Sequence, residues 1–327
     1  MSTASASATA SIPGSVSAAA PSATARTVAS SGRGGRRRRL WRANLAGYAF
    51  LTPNLVLLGL FVLFPLVSAV VISFEKTNGF GSGTFAGLDN YARLATDPVF
   101  WRSTFNTALF TALVTPLSML LGLGAAVLLN SVLPARGLFR SILILPMAIS
   151  GVATALIGVL VFDQNNGILD KLLRFAGLQT IPWQSGGAAA FTSVVLVTLW
   201  WRVGFNMLIY LAGLQSISPE LYEAARLDGA GGWQRFRFLT VPLVGPSSFF
   251  LLIMNVIYSF QVFDIVFVLT GGGPQNATSV LVTYAYNNGF VTRDQGYAAA
   301  IGVVLLLITL VFTAVQWRAS RTRDLVD

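Results

Sequence analysis

Six apolar runs alternate with polar segments along the chain, each near the ~20 residues that a membrane-spanning helix needs. They fall at roughly 48–74, 105–129, 138–162, 190–214, 243–269 and 297–317. The segments between them, 75–104, 130–137, 163–189, 215–242 and 270–296, are polar. The pattern predicts an all-α polytopic membrane protein with a transmembrane domain over 44–318. It is flanked by a basic tail, 1–43, and a short C-terminal tail, 319–327. Residues 1–32 are rich in Ser, Ala and Thr without any apolar run, so they cannot offset chain entropy and read as disordered. Pro53, Pro65, Pro116, Pro146, Pro242 and Pro246 lie in or beside the runs, where neighbouring helices must satisfy the carbonyls that interior prolines free.

Composition agrees with the pattern. The chain is 54% hydrophobic and 10% charged, whereas a soluble domain carries about 25% charged residues. Net charge is +10. Arg26, Arg33, Arg36, Arg37, Arg38, Arg39 and Arg42 supply seven of those charges, and the rest of the chain keeps only +3, so basicity does not point to nucleic acid. Cysteine and histidine are both absent, which excludes disulfides, thiol catalysis, Cys/His zinc sites and histidine proton relays. No catalytic or metal-ligating cluster is expected. The basic cluster adjoins an apolar run of about 25 residues, too long for a signal-peptide core.

Lys/Arg bias sets the orientation. With the tail inside, the inner side carries fifteen Lys/Arg, including Arg136, Arg140, Arg226, Arg235, Arg237 and Arg318, against six outside. Both termini and segment 215–242 are therefore expected in the cytoplasm. Trp41, Trp101 and Trp317 sit near span ends, as interfacial anchors do.

Polar groups inside spans usually face a bundle or a cavity. Arg202 and Asn206 are four residues apart and share one helix face. Placing arginine centrally costs about 2.5–3.5 kcal/mol, so it calls for a partner or water. Asn255, Tyr258 and Ser259 share a face of the fifth run, with Gln261 beside it and Asp264 turned toward the opposite side. These residues are candidates for a substrate pathway. The competing reading is interhelical hydrogen bonding, with Asp264 as a salt-bridge partner of Arg202.

Segment 215–242 has its own signals. Ser218 can cap a helix, Pro219 suits its first position, and Glu220 favours the positive end. Gly229 offers a left-handed stop. One short helix is expected over about 219–228, then an amphipathic piece with Trp233, Phe236 and Phe238 among Gln234, Arg235 and Arg237 at the headgroup level.

The spacing Glu223-Ala224-Ala225-x3-Gly229-x9-Leu239-x-Val241-Pro242 resembles the EAA loop of ABC-importer permeases, Glu-Ala-Ala-x3-Gly-x9-Ile-x-Leu-Pro, with Leu239 for Ile and Val241 for Leu. Phe85-Ala86-Gly87-Leu88-Asp89-Asn90-Tyr91, Leu211-Ala212-Gly213-Leu214-Gln215 and Thr270-Gly271-Gly272-Gly273-Pro274 add to this. Together they resemble the carbohydrate branch, the maltose-type first inner-membrane permease, over about 45–317. The resemblance implies a permease subunit of a type I ABC importer that moves a di- or oligosaccharide by alternating access. A glycerol-phosphate importer is the alternative, and a gradient-driven transporter a weaker one.

The resemblance also implies partners: a second homologous permease, a cytoplasmic ATPase dimer and an extracytoplasmic solute-binding protein, in the cell membrane. Glu223, Ala224, Ala225, Asp228, Gly229, Leu239 and Pro242 would couple to the ATPase. No G-x-x-x-x-G-K-[ST] phosphate loop occurs in the chain, so ATP and Mg would be bound by the partner and no cofactor by this chain.

Overall fold

The computed structural model describes residues 48, 50–79, 83–131 and 134–321, without the side chains of 319–321. The tail 1–43, Trp41 and residues 322–327 lie outside the described residues. The chain divides into two units, Met1–Phe61 and Val62–Asp327, with the division inside the first long helix, α1 (Phe50–Ile72). Four helices are long and apolar enough to cross a membrane, six spans if each of two bent pairs counts as one.

α1 widens into a π-turn at Gly59–Leu63 just before Pro65, which lacks the N–H a regular ladder would use. The strands β1 (Glu75–Lys76) and β2 (Thr84–Phe85) pair antiparallel, and α2 (Asp89–Thr96) follows. α3 runs Pro98–Asn130, starting well before the expected 105. Asp97 explains the early start: its carboxylate accepts the N–H groups of Val99 (2.8 Å) and Phe100 (3.3 Å), with Pro98 in the first turn.

The third apolar run is not one helix. α4 (Arg136–Ala148) and α5 (Gly151–Val161) meet at 105°. Pro146 closes α4 in a 3₁₀ turn, and Ser150 caps α5 by accepting the N–H of Ala153 (3.3 Å). α6 (Ile168–Phe175) leads to the straight span α7 (Gly187–Gln215).

α8 (Pro219–Leu227) is the expected short helix. Beyond it, α9 (Gly232–Leu243) meets α10 (Gly245–Phe260) at 64°. The fifth run breaks again after Phe260, and residues 264–269 form a separate helix, α11 (Asp264–Leu269). The expectation of one helix over 243–269 is therefore wrong. Hydrophobicity marks a run's length but not the backbone breaks inside it. α12 (Leu281–Tyr286) continues into a π-turn, Asn287–Val291, before the last long helix, α13 (Gln295–Arg321).

Three apolar clusters hold the second unit together. One joins α3 and α7 to α11 through Phe110, Val194 and Val266. A second gathers Met207, Leu211 and Leu214 of α7 with Ala126, Leu129 and Leu251. The third packs Leu94 and Phe100 against Tyr297 and Ile301 of α13. By contrast, α1 and the far half of α13 leave most apolar side chains uncovered, as surfaces solvated by lipid do.

Polar bonds staple the end of the bundle where β1, α2 and the start of α13 meet. Buried Asn90 donates to the carbonyls of Ser73 (2.9 Å) and Glu75 (3.0 Å), and Tyr91 pairs with Ser73 through their hydroxyls at 2.7 Å. The backbone of Gly296 passes so close to β1 that an added Cβ would strike the Glu75 carbonyl. Asp97 also accepts the hydroxyls of Tyr284 and Tyr297. Burial disfavours its charge, but those two hydroxyls and the N–H groups of Phe100 and Val99 outweigh that. They hold its pKa below the ordinary carboxylate value.

Candidate functional site: a helical loop and a polar cavity

α8 projects between two membrane spans with no buried residue of its own. Glu223, Ala224, Asp228 and Gly229 are exposed, and Ala225 is half-buried. Leu227, though apolar, is 90% exposed, which leaves an uncovered apolar spot beside the acidic ones. Pro219 begins the helix, but the Ser218 side chain makes no capping bond, contrary to expectation. The helix ends as a Schellman turn: Ala230 N–H reaches the Ala225 carbonyl (2.9 Å) and Gly229 N–H the Arg226 carbonyl (3.0 Å). Gly229 sits at φ +80°, where a side chain would be strained.

One hydrogen bond fixes how α8 stands on α9. The Tyr222 hydroxyl pairs with Thr240 Oγ1 at 3.0 Å, and Thr240 also donates to the Arg235 carbonyl (3.3 Å). Leu239 and Pro242 lie on α9, Leu239 half-buried and Pro242 exposed. A groove of about 630 Å³ separates α8 from α9, lined by Asn130, Tyr222, Glu223, Arg226, Arg235 and Thr240 among others.

The in-span polar residues divide into two groups. Asn255 is a hub: its Oδ1 accepts Arg202 Nη2 (3.1 Å), and its Nδ2 donates to Asn206 Oδ1 (2.7 Å) and the Leu251 carbonyl (2.8 Å). Ser118 of α3 also donates to Asn255 Oδ1 at 3.5 Å. All four side chains are buried. Asn206 and Asn255 therefore tie α7 to α10 and do not line the neighbouring cavity.

Arg202 does line that cavity, about 170 Å³ in volume, with Tyr258, Gln261, Asp264, Trp201, Thr198 and Ser259. The Arg202 guanidinium carbon lies 3.9 Å from the centre of the Tyr258 ring, a cation–π contact. Gln261 and Asp264 reach the cavity because the helix stops at Phe260. Gln261 sits at the break, and Asp264 opens α11 rather than pointing away. A Cβ on Gly151 would stand 2.7 Å from Asp264 Oδ2, so the carboxylate faces the start of α5, the helix's positive end. Among the described residues, Asp264 and Arg202 form no ion pair. The cavity thus carries one cation and one carboxylate that are not paired with each other.

Sequence reasoning does not single out Trp201, Thr198 or Ser118. Trp201 donates its indole N–H to the Ile149 carbonyl (3.1 Å) at the α4–α5 bend. Its position next to an in-span arginine is the one available signal.

Residues 118–323 match the family described as binding-protein-dependent transport system inner membrane component. The sn-glycerol-3-phosphate transport system permease protein UgpA of Yersinia pestis is 36% identical over 273 residues, 83% of this chain and 92% of that protein. The trehalose/maltose transport system permease protein MalF of Thermococcus litoralis is 34% identical over 284 residues, 86% and 96% of the two chains. A chain in the crystal structure of a bacterial alginate ABC transporter, in complex with an alginate pentasaccharide-bound periplasmic protein, superposes with a TM-score of 0.77. It is 25% identical and covers 87% of this chain and 98% of its own.

Proposed function

The chain belongs to the binding-protein-dependent transport system inner membrane components, multi-pass permease subunits of ABC importers, and on that footing we propose that it carries a di- or oligosaccharide into the cell. The observation that carries the energetic half of this reading is exposed Glu223 on a short, Schellman-closed helix between two long spans. A cytoplasmic ATPase dimer receives that helix. Glu223, Ala224, Ala225, Asp228 and Gly229 form the contact, and Leu239 and Pro242 begin the lever that moves α10. ATP and Mg belong to that partner, since the sequence has no phosphate-binding loop of its own. Both termini lie in the cytoplasm, in keeping with the Lys/Arg bias.

The cavity supports the substrate half. It combines a guanidinium, a carboxylate, an amide, hydroxyls and the faces of Trp201 and Tyr258, groups that bind hydroxyl-rich rings. Its opposite charges favour a neutral substrate. At about 170 Å³ it is smaller than the ~300–1,000 Å³ of ordinary ligand sites. A second permease supplies the remainder, and an extracytoplasmic binding protein delivers the sugar. A glycerol phosphate is the second reading, favoured by Arg202 and by the name of the Yersinia relative.

Glu223→Lys tests the coupling. The variant inserts at normal levels but no longer co-purifies with the ATPase. Normal co-purification would reject the assignment of α8.

A further inference from the structure

The first limb of each bent pair, α4 and α9, is basic and amphipathic and contains no acid: Arg136 and Arg140 on one, Arg235 and Arg237 on the other. Each limb turns sharply away from its continuation, by 105° and 64°. Each exposes large apolar side chains on the same limb as its arginines: Leu138, Phe139 and Ile142 on α4, Trp233, Phe238 and Val241 on α9. Among the described residues none of the four arginines is in an ion pair. Arg237 lies 5.8 Å over the Phe238 ring, and Arg235 Nε is buried with no hydrogen-bond partner.

A basic helix with exposed aromatic residues, lying across the axis of the span it feeds, suits the headgroup layer rather than the hydrocarbon or the bulk. Guanidinium forks match phosphate oxygens in pairs, and tryptophan belongs at that depth. We propose that α9 binds the phosphates of anionic phospholipids in the cytoplasmic leaflet through Arg235 and Arg237, with α4 built the same way. The ligand class is an anionic diacyl phospholipid. The site sits on the element that Tyr222 and Thr240 join to α8, so bound lipid stiffens the lever between the loop and α10. The inference rests on the inward orientation of segment 215–242, but it is tested by lipid retention, which does not depend on transport.

Full-length protein, purified with its partners, is incorporated into nanodiscs of phosphatidylcholine with or without phosphatidylglycerol, and retained lipid is counted by native mass spectrometry. Arg235→Gln and Arg237→Gln each weaken phosphatidylglycerol retention about fivefold and leave phosphatidylcholine unchanged, and Arg237→Lys, which keeps the charge but not the guanidinium fork, recovers only part of the loss. Equal retention of both lipids by the native protein, or undiminished phosphatidylglycerol in the double variant, overturns the proposal. So does loss of the ATPase from the double variant with lipid retention intact, which would place the limb in a protein interface.

Discussion

Arg202 donates to Asn255 at 3.1 Å, across the interface between α7 and α10. This bond decides which polar residues hold the bundle and which can meet a substrate. With its second amide edge on Asn206, Asn255 has no free group left, and Arg202 is left facing the cavity in a fixed pose.

Replacing Asn255 by Leu therefore strands a buried guanidinium and a buried amide. An unsatisfied buried polar group costs about 1–3 kcal/mol, more when charged. The expected result is a lower thermal midpoint in detergent together with a weaker apparent affinity for substrate. An unchanged midpoint would show that Asn255 does not hold the helices.

Arg202→Gln separates the two substrate classes. A neutral sugar loses one hydrogen-bonding partner, and uptake falls by no more than about tenfold. A phosphate ester loses its counter-charge, and uptake collapses. Uptake assays of both classes, at matched surface levels, read the difference directly.

Asp97 makes the stability of the end it staples depend on pH. Its folded pKa is lowered, so the stabilisation is complete above the unfolded value of about 3.9. It is lost as pH falls through the folded value. The thermal midpoint should hold at neutral pH and decline only once pH falls below about 4, and Asp97→Asn should remove that part of the decline. An identical acid profile in the variant would contradict the assignment.

Gly296→Ala places a methyl group on the Glu75 carbonyl. Overpacking of this kind costs about 1–3 kcal/mol, here with backbone on both sides. Lower expression and a reduced midpoint are expected, whereas Gly302→Ala on the same helix, with open space around it, should be silent. Equal behaviour of the two would refute the close approach.

Much of this is legible in the sequence. The short helix before Gly229 matches because its signals are local: Pro219 at the start, a left-handed stop at the end. The long spans are visible because lipid demands continuous apolar length. The breaks in the third and fifth runs are not, because residues 149–150 and 261–263 lie inside runs long and apolar enough to span, and isolated polar residues such as Ser150 and Gln261 also occur within unbroken spans. Their bends are held by distant partners, such as the Trp201 indole on the Ile149 carbonyl. For the same reason the sequence puts Asp264 on the wrong side: helical geometry is extended through a break. Arg202 and Asn206 do share one face of α7, yet only the cross-helix bonds of Asn255 show which of them meets the cavity.

The most direct test of the central claim is a gentle-detergent purification of the tagged chain from its native membrane, with partners identified by mass spectrometry. Recovery of an ATPase together with a second permease is the predicted result. A chain recovered alone or only with copies of itself, accompanied by uptake that follows an ion gradient, would contradict it.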